Sequence, residues 1–235
     1  MNTKEYLAKD RGHANHGWLE ARHTFSFAGY YDPDKTNFGM LRVFNDDLIA
    51  GESGFGKHPH DNMEIISYIV DGELSHEDSM GNKGVIKKDE IQVMSAGKGV
   101  FHSEFNASKN TTNLLQIWIM PNKSNVEPRY DQKRISNLIQ PNELTSVISP
   151  DKNGLWLHQD AWMYVGAFEK EKTIDYTLNN NEHGVFVFVI DGNVQIGEKT
   201  LSRRDGLGVW STDSFTLSAK ENTKFLLLEI PMIRK

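Results

Sequence analysis

The chain has no cysteine, which excludes disulfides, thiolate ligands and cysteine nucleophiles. Any metal must therefore be held by nitrogen and oxygen. Long apolar runs are missing as well. The longest, Val185 to Ile190, is far too short to span a bilayer. The N-terminus, Met1-Asn2-Thr3-Lys4-Glu5-Tyr6, lacks the apolar core of a signal peptide. The expected location is cytoplasmic, with no membrane partner. Basic stripes are also absent. Formal net charge is -6, and the nearest candidates, Lys87-Lys88 and Arg203-Arg204, read as solvated turns. A nucleic-acid binder normally carries a basic patch, so nucleic acid is not an expected ligand. Helical signal is scarce, with one short candidate near Arg129 to Ile139.

What the 235 residues do contain is β-structure. Short runs rich in Val, Ile, Phe, Tyr and Trp, such as Met40–Phe44, Glu64–Val70, Leu114–Ile119, Val185–Ile190 and Phe225–Ile230, are separated by turn residues. Turn signals stand at Asp71-Gly72, Gly81-Asn82, Gly97–Gly99, Asp191-Gly192 and Asp205-Gly206. This spacing predicts an all-β antiparallel sandwich or barrel. The two halves also echo one another. Tyr68-Ile69-Val70-Asp71-Gly72-Glu73-Leu74 is matched by Phe188-Val189-Ile190-Asp191-Gly192-Asn193-Val194, and Lys88-Asp89-Glu90-Ile91 by Arg204-Asp205-Gly206-Leu207. Hairpins look alike in any β protein, but two echoes in the same order favour a duplicated lobe. The expected lobes are 1–128 and 129–235, with a linker around Pro121 to Pro128.

Three of the nine histidines fall in two short segments that also carry carboxylates. These are Gly56-Lys57-His58-Pro59-His60-Asp61-Asn62-Met63-Glu64 and Gly97-Lys98-Gly99-Val100-Phe101-His102-Ser103-Glu104-Phe105-Asn106. In an extended chain residues i and i+2 share a face. His58 and His60 therefore point one way together, as do His102 and Glu104. Same-face neighbours on a strand are about 6.6 Å apart and paired strands about 4.8 Å. Four side chains at such corners can lean in to one ion, with bonds of about 2.0–2.2 Å. Pro59 has no N–H to give a sheet, so that strand should begin or bulge there.

A single His-x-His or His-x-Glu is commonplace, and alone it is more often surface or hydrogen-bonded than metal-bound. Both together, each beside glycines in a β-rich chain, predict one divalent transition metal held by His58, His60, His102 and Glu104. Three imidazoles and a carboxylate form a borderline-to-hard donor set. On a six-coordinate ion they leave two positions for substrate, water or O₂. Fe(II), Mn, Ni, Cu and Zn all fit this set, and iron is the first choice.

At this point the chain resembles the pirin family. The resemblance rests on Arg22-His23-Thr24-Phe25-Ser26-Phe27, the His58-Pro59-His60 segment, Ser75-His76-Glu77-Asp78-Ser79-Met80-Gly81-Asn82, Gly99-Val100-Phe101-His102-Ser103-Glu104-Phe105-Asn106, and Leu157-His158-Gln159-Asp160-Ala161. It implies a bicupin of two antiparallel β-sandwich or jelly-roll lobes with few short helices. It also implies His58, His60, His102 and Glu104 as ligands in the first lobe. A general cupin pattern would place its carboxylate ligand at Glu64, whereas pirins place it in the second motif, at Glu104. That pattern also has a glycine where this chain has Glu52. Pirins often carry Arg where this chain has Asp61, which reverses the charge beside the metal. The second lobe retains His183 with no HxH or HxE pair and is expected to be metal-free.

Some bacterial pirins are similar to quercetin 2,3-dioxygenases. Carried over, this implies a phenolic substrate and O₂, with Glu104 as both ligand and general base and the heterocycle opened with loss of CO. A competing implication is a non-enzymatic regulator that binds a protein partner and uses the iron's oxidation state as a switch. The acidic charge suits protein partners better than DNA. A third is a cupin isomerase or lyase that works without O₂. Among other residues, His23 is weighed between lining the cavity and a structural role, with structure slightly preferred. His76 is left open between site and core, His158 and Asp160 are read as structural, and His13 and His16 as surface. Trp18, Phe25, Phe27, Phe38, Phe44 and Phe55 are candidate walls for an aromatic ligand, with core packing the alternative.

Overall fold

The structure, a computed structural model, describes residues 1–152 and 154–233. Its strands run as β1 (Asn2–Tyr6), β2 (Gly12–Asn15), β3 (Leu19–His23), β4 (Leu41–Ile49), β5 (Ser53–His60), β6 (Glu64–Asp71), β7 (Glu73–Asp78), β8 (Lys83–Lys87), β9 (Glu90–Ser95), β10 (Val100–Asn106), β11 (Thr112–Ile119) and β12 (Arg129–Arg134). Then follow β13 (Leu144–Ile148), β14 (Trp162–Phe168), β15 (Lys172–Thr177), β16 (His183–Asp191), β17 (Val194–Ile196), β18 (Lys199–Leu201), β19 (Gly206–Trp210), β20 (Ser214–Ala219) and β21 (Thr223–Pro231). A short 3₁₀ turn, Ala8–Asp10, is the only helix among the described residues. No helix among them is long and apolar enough to cross a membrane.

The chain divides into two compact units. One comprises Gly12–Ser136 with Leu155–Gln159, the other Met1–Arg11, Asn137–Gly154 and Asp160–Lys235. The first holds a seven-stranded sheet in the order β12-β9-β6-β11-β4-β3-β2 and a four-stranded sheet, β5-β10-β7-β8. The second holds a six-stranded sheet, β1-β19-β16-β21-β14-β13, and a four-stranded sheet, β15-β20-β17-β18. The order β9-β6-β11-β4 in one is repeated by β19-β16-β21-β14 in the other, and the two four-stranded sheets correspond strand for strand.

The echoed Asp-Gly turns are built alike. Gly72 and Gly192 adopt φ of +84° and +83°, a conformation glycine enters without steric cost. A Cβ on either would collide with a threonine, Thr112 or Thr223. The Thr112 hydroxyl accepts from the Glu73 N–H at 3.2 Å and donates to the Glu73 carbonyl at 2.7 Å. Thr223 does the same for Asn193, at 3.1 and 3.2 Å. The second echo is real but displaced by one residue. Asp89 N–H donates to the Ile69 carbonyl and Arg204 N–H to the Val189 carbonyl, both residues at positive φ, so Asp89 rather than Lys88 matches Arg204.

Three expectations need correction. The segment from Arg129 is strand, not helix, because its backbone pairs with the open edge of β9 from Arg129↔Ser95 to Arg134↔Glu90. A charged edge strand with little apolar alternation leaves no clear periodicity to read. The lobes are not cut at residue 128. β12 completes the first unit, while β1 leaves the N-terminus to pair with β19 in the second. The expected linker, Pro121 to Pro128, lies inside the first unit. Backbone bonds Lys98 N–H to Val126 O and Asn122 N–H to His158 O hold it there.

Continuous apolar runs build the core of the second unit. β16 and β21 are buried almost throughout, and with β19 and β20 they enclose Val185, Val187, Leu207, Leu217 and Phe225. In the first unit Ile49, Ile69, Leu74, Ile86 and Leu114 pack together.

Candidate metal centre

β10 alternates strictly. Val100, His102, Glu104 and Asn106 are buried while Phe101 and Phe105 are exposed, so His102 and Glu104 face inward together. On the neighbouring β5, His58 stands opposite His102 and His60 opposite Val100. The register then slips, because Glu104 faces Phe55. The extra residue sits at Gly56-Lys57 opposite Ser103, and a bulge there re-aims the strand. The irregularity was expected at Pro59. β5 is an edge strand, which tolerates Pro59 near its end.

The three imidazoles meet. Ring centroids are 4.4 Å apart for His58–His102, 4.8 Å for His60–His102 and 4.9 Å for His58–His60. His60 Nε2 and His102 Nε2 lie 2.9 Å apart. Adjacent ligands on an ion with bonds of about 2.1 Å are separated by about 3.0 Å, so this spacing fits two neighbouring positions on one ion. His58 Nδ1 lies 2.8 Å from the Gly56 carbonyl. An Nδ1–H donated there leaves Nε2 with its lone pair free for a metal.

Electrostatics keeps two of these rings, His102 and His60, neutral. Burial, with the neighbouring imidazoles His58, His60 and His76, pushes His102 down to about 2. Burial and His58 push His60 down to about 4, against the pull of Asp61. Neutral imidazole is the ligating form. Glu104 is 3 % exposed, and burial raises its carboxyl to about 7, opposed by the Ser67 hydroxyl that donates to it at 3.4 Å. The donor types and the imidazole spacing fit a borderline divalent ion.

The expected four-residue rectangle is resolved into two overlapping triads. His58, His60 and His102 have mutually close donor atoms, all within 4.8 Å, and His76, His102 and Glu104 form a second group by the same measure. His76, which the sequence left open, is thus a buried neighbour of the centre. Its Nε2 is 3.2 Å from Asp78 and its Nδ1 is 3.5 Å from His102 Nδ1. Asp78 is itself held by Asn82 and the Met80 N–H. Asp61 is exposed.

His58, His60 and Glu104 line a cavity of about 210 Å³, together with Asn45, Asp47 and Gln116 from the seven-stranded sheet. Leu19, Ala21, His23, Phe27 and Phe55 are shared with a wider cleft of about 660 Å³ that adds Trp18 and Tyr30. The aromatic walls are interlocked edge to face, Trp18 on Phe55 at 5.1 Å and Trp118 between Phe27 and His60 at 5.3 and 4.9 Å. Of the six aromatics expected as walls, Trp18, Phe27 and Phe55 serve. Phe25, Phe38 and Phe44 are core. His23, expected as structural, lines the cavity instead. Asn45 and Asp47 escaped the sequence reading. Their signal was there, because both are in phase with Leu41, Val43 and Ile49 on β4 and are buried with them.

In the second lobe the same positions carry different side chains. Counting along paired strands from Gly72 and Gly192, Tyr176 matches His58, Leu178 matches His60, Phe215 matches His102 and Leu217 matches Glu104. All four are core residues. His183 is tied to Glu229 at 3.2 Å and approaches Asp160 at 3.6 Å.

Two like β-lobes, one with an imidazole cluster opening on an aromatic cavity and one with core side chains at the corresponding positions, define a bicupin. Comparison with known proteins agrees. The family model Pirin matches residues 5–119, and Quercetinase C-terminal cupin domain matches 146–230. Quercetin 2,3-dioxygenase of Escherichia coli (strain K12) is 43% identical over 229 residues, covering 96% of this chain and 97% of that protein. A pirin-like protein of Caulobacter vibrioides is 39% identical over 221 residues, covering 93% and 95%. The crystal structure of the bacterial pirin YhhW from Escherichia coli, in complex with nickel(II), aligns with TM-score 0.93 and 41% identity, covering 99% of this chain and 100% of that one. The chain belongs to the pirin family.

Proposed function

We propose that this protein is a metal-dependent dioxygenase that opens a flavonol or related phenolic with O₂. The observation that carries the reading is the convergence of three imidazoles, with Glu104 beside them, on an aromatic-walled cavity. His58, His60, His102 and Glu104 would hold the ion, with Fe(II) as the resident metal. A bound redox-active ion supplies a Lewis acid for the substrate oxygen and a route for electrons to O₂. The name and 43% identity of the Escherichia coli quercetin 2,3-dioxygenase support this choice of reaction.

The chain's own residues do the rest. Trp18, Phe27, Phe55 and Trp118 take a flat ring by burial and edge contacts, and their apolar surface excludes water from the imidazole cluster. The inner cavity of about 210 Å³ is small for a drug-sized ligand, which needs about 300–1,000 Å³. Such a ligand therefore occupies the outer cleft as well. Glu104, poised near neutral pH, takes the proton of the reacting hydroxyl and so activates the ring toward oxygen. Both oxygen atoms enter the products, and a ring carbon leaves as CO.

Iron-loaded protein is expected to consume O₂ with quercetin. Glu104→Gln keeps the shape but removes the base, and should lower turnover by about 10²- to 10⁴-fold. Unchanged turnover in that variant would rule out the base role. Turnover of a phenolic without O₂ would rule out a dioxygenase and favour an isomerase or lyase.

A further inference from the structure

Cross-strand partners in a sheet share a face, and one transverse row of the seven-stranded sheet is polar from strand to strand. His23 pairs with Asn45, Asn45 with Gln116, Gln116 with Ser67, and Ser67 with Gln92. The next inward-facing row is Ala21, Asp47, Leu114 and Ile69, so Asp47 is a carboxylate set among apolar neighbours. Core strands do not place polar groups in this way for packing alone.

Four members of these rows, His23, Asn45, Asp47 and Gln92, have unmet hydrogen-bonding capacity, and Asn45 and Asp47 offer theirs as acceptors in the cavity lining. Asn45 is 3 % exposed and Asp47 5 % exposed. Their Oδ1 atoms are buried and accept no hydrogen bond of normal geometry from the protein, although the His23 imidazole interacts with the Asn45 side chain. A buried acceptor without a partner is costly and normally marks a place where something else donates. Both residues line the cavity that His58, His60 and Glu104 line. The histidines and Glu104 come from the four-stranded sheet, Asn45 and Asp47 from the seven-stranded one. The rest of the lining is apolar except for His23, Gln116 and Trp118, and none of these makes a hydrogen bond of normal geometry to either Oδ1. A hydroxyl brought by an occupant is a donor that can pair with them.

We propose that Asn45 and Asp47 are the specificity-determining wall of this cavity, their side-chain oxygens accepting hydrogen bonds from ring hydroxyls of a polyhydroxylated aromatic whose reacting oxygen faces Glu104. The inference rests on the phenolic-substrate reading and adds to it a choice among phenolics. A ligand that brings only its reacting hydroxyl leaves both acceptors dry and unpaired. A ligand with further hydroxyls satisfies them. Sites built to pair a substrate hydroxyl reject the analogue lacking it far more strongly than sites built on shape alone.

The test compares quercetin, rich in ring hydroxyls, with 3-hydroxyflavone, which keeps only the reacting one. Dissociation constants are measured by fluorescence quenching on nickel-loaded wild-type protein and on Asn45→Leu, Asp47→Leu and the near-isosteric Asp47→Asn. Circular dichroism verifies that each is folded. Wild-type protein is expected to bind quercetin at least about tenfold tighter than 3-hydroxyflavone. Each leucine variant is expected to lose about tenfold or more of that preference through weaker quercetin binding, with 3-hydroxyflavone unaffected. Asp47→Asn, which keeps an acceptor oxygen, should retain most of it. A preference that survives in both leucine variants overturns this inference and leaves the phenolic reading standing. Failure of the wild-type protein to bind either flavonol overturns both.

Discussion

Metal addition separates the two lobes, because among the described residues only one presents an imidazole cluster. Consider nickel(II) added to metal-free protein at 100 times its dissociation constant. Binding to the folded state alone adds RT ln(1 + [L]/Kd), about 2.7 kcal/mol. The unit that carries the centre, Gly12–Ser136 with Leu155–Gln159, has an unfolding entropy on the order of 0.27 kcal/mol/K at about 2.1 cal/mol/K per residue. Its melting transition should therefore rise by about 10 °C. The other unit, with Tyr176, Leu178, Phe215 and Leu217 at the corresponding positions, should melt where it did before. Differential scanning calorimetry with and without nickel reads both transitions. His102→Ala removes the residue common to both donor triads, and in that variant the shift should shrink to a degree or two. A shift of equal size in His102→Ala, or one confined to the transition of the second unit, would refute the assignment of the centre to these imidazoles.

Two further outcomes test the second lobe. Glu229 is fully buried and accepts from the Tyr176 hydroxyl at 2.6 Å, the Asn179 and Asn180 N–H groups at 3.0 and 3.1 Å, and the Asn179 amide at 3.0 Å. Burial alone would raise its carboxyl. The hydrogen bonds from His183, Tyr176 and Asn179 outweigh that and hold it below its ordinary value. A depressed folded-state value gives stability that is present above the unfolded value, about 4.5, and is lost as pH falls through the folded one. Tyr176→Phe should thus cost about 2 kcal/mol at pH 7 and clearly less at pH 3. Urea titrations at the two pH values check this, and equal losses at both would contradict it. Gly192→Ala forces a Cβ to within 2.3 Å of Thr223 Oγ1 at φ +83°, so it should lower the second unit's stability by about 2–3 kcal/mol, seen as a lower melting temperature of that transition only.

Period-two patterning made the β architecture, the duplicated lobes and the facing of His58 with His60 and His102 with Glu104 legible in the sequence. Each of these depends on residues one or two apart, where strand geometry leaves little freedom. The turn glycines were legible for the same reason, since only a local φ had to be satisfied. Long-range register was not. Whether β12 would be a helix or an edge strand depended on the open edge of β9, and the N-terminal strand's place in the other unit depended on β19. Neither can be inferred from the segment itself. The bulge at Gly56-Lys57, which puts Phe55 opposite Glu104, is likewise a property of two strands laid side by side. Asn45 and Asp47 lie in a segment that reads as an ordinary mixed strand. Only the fold brings them, unpaired, into the cavity that the histidines share, because burial and hydrogen-bond satisfaction are decided by neighbours distant in sequence.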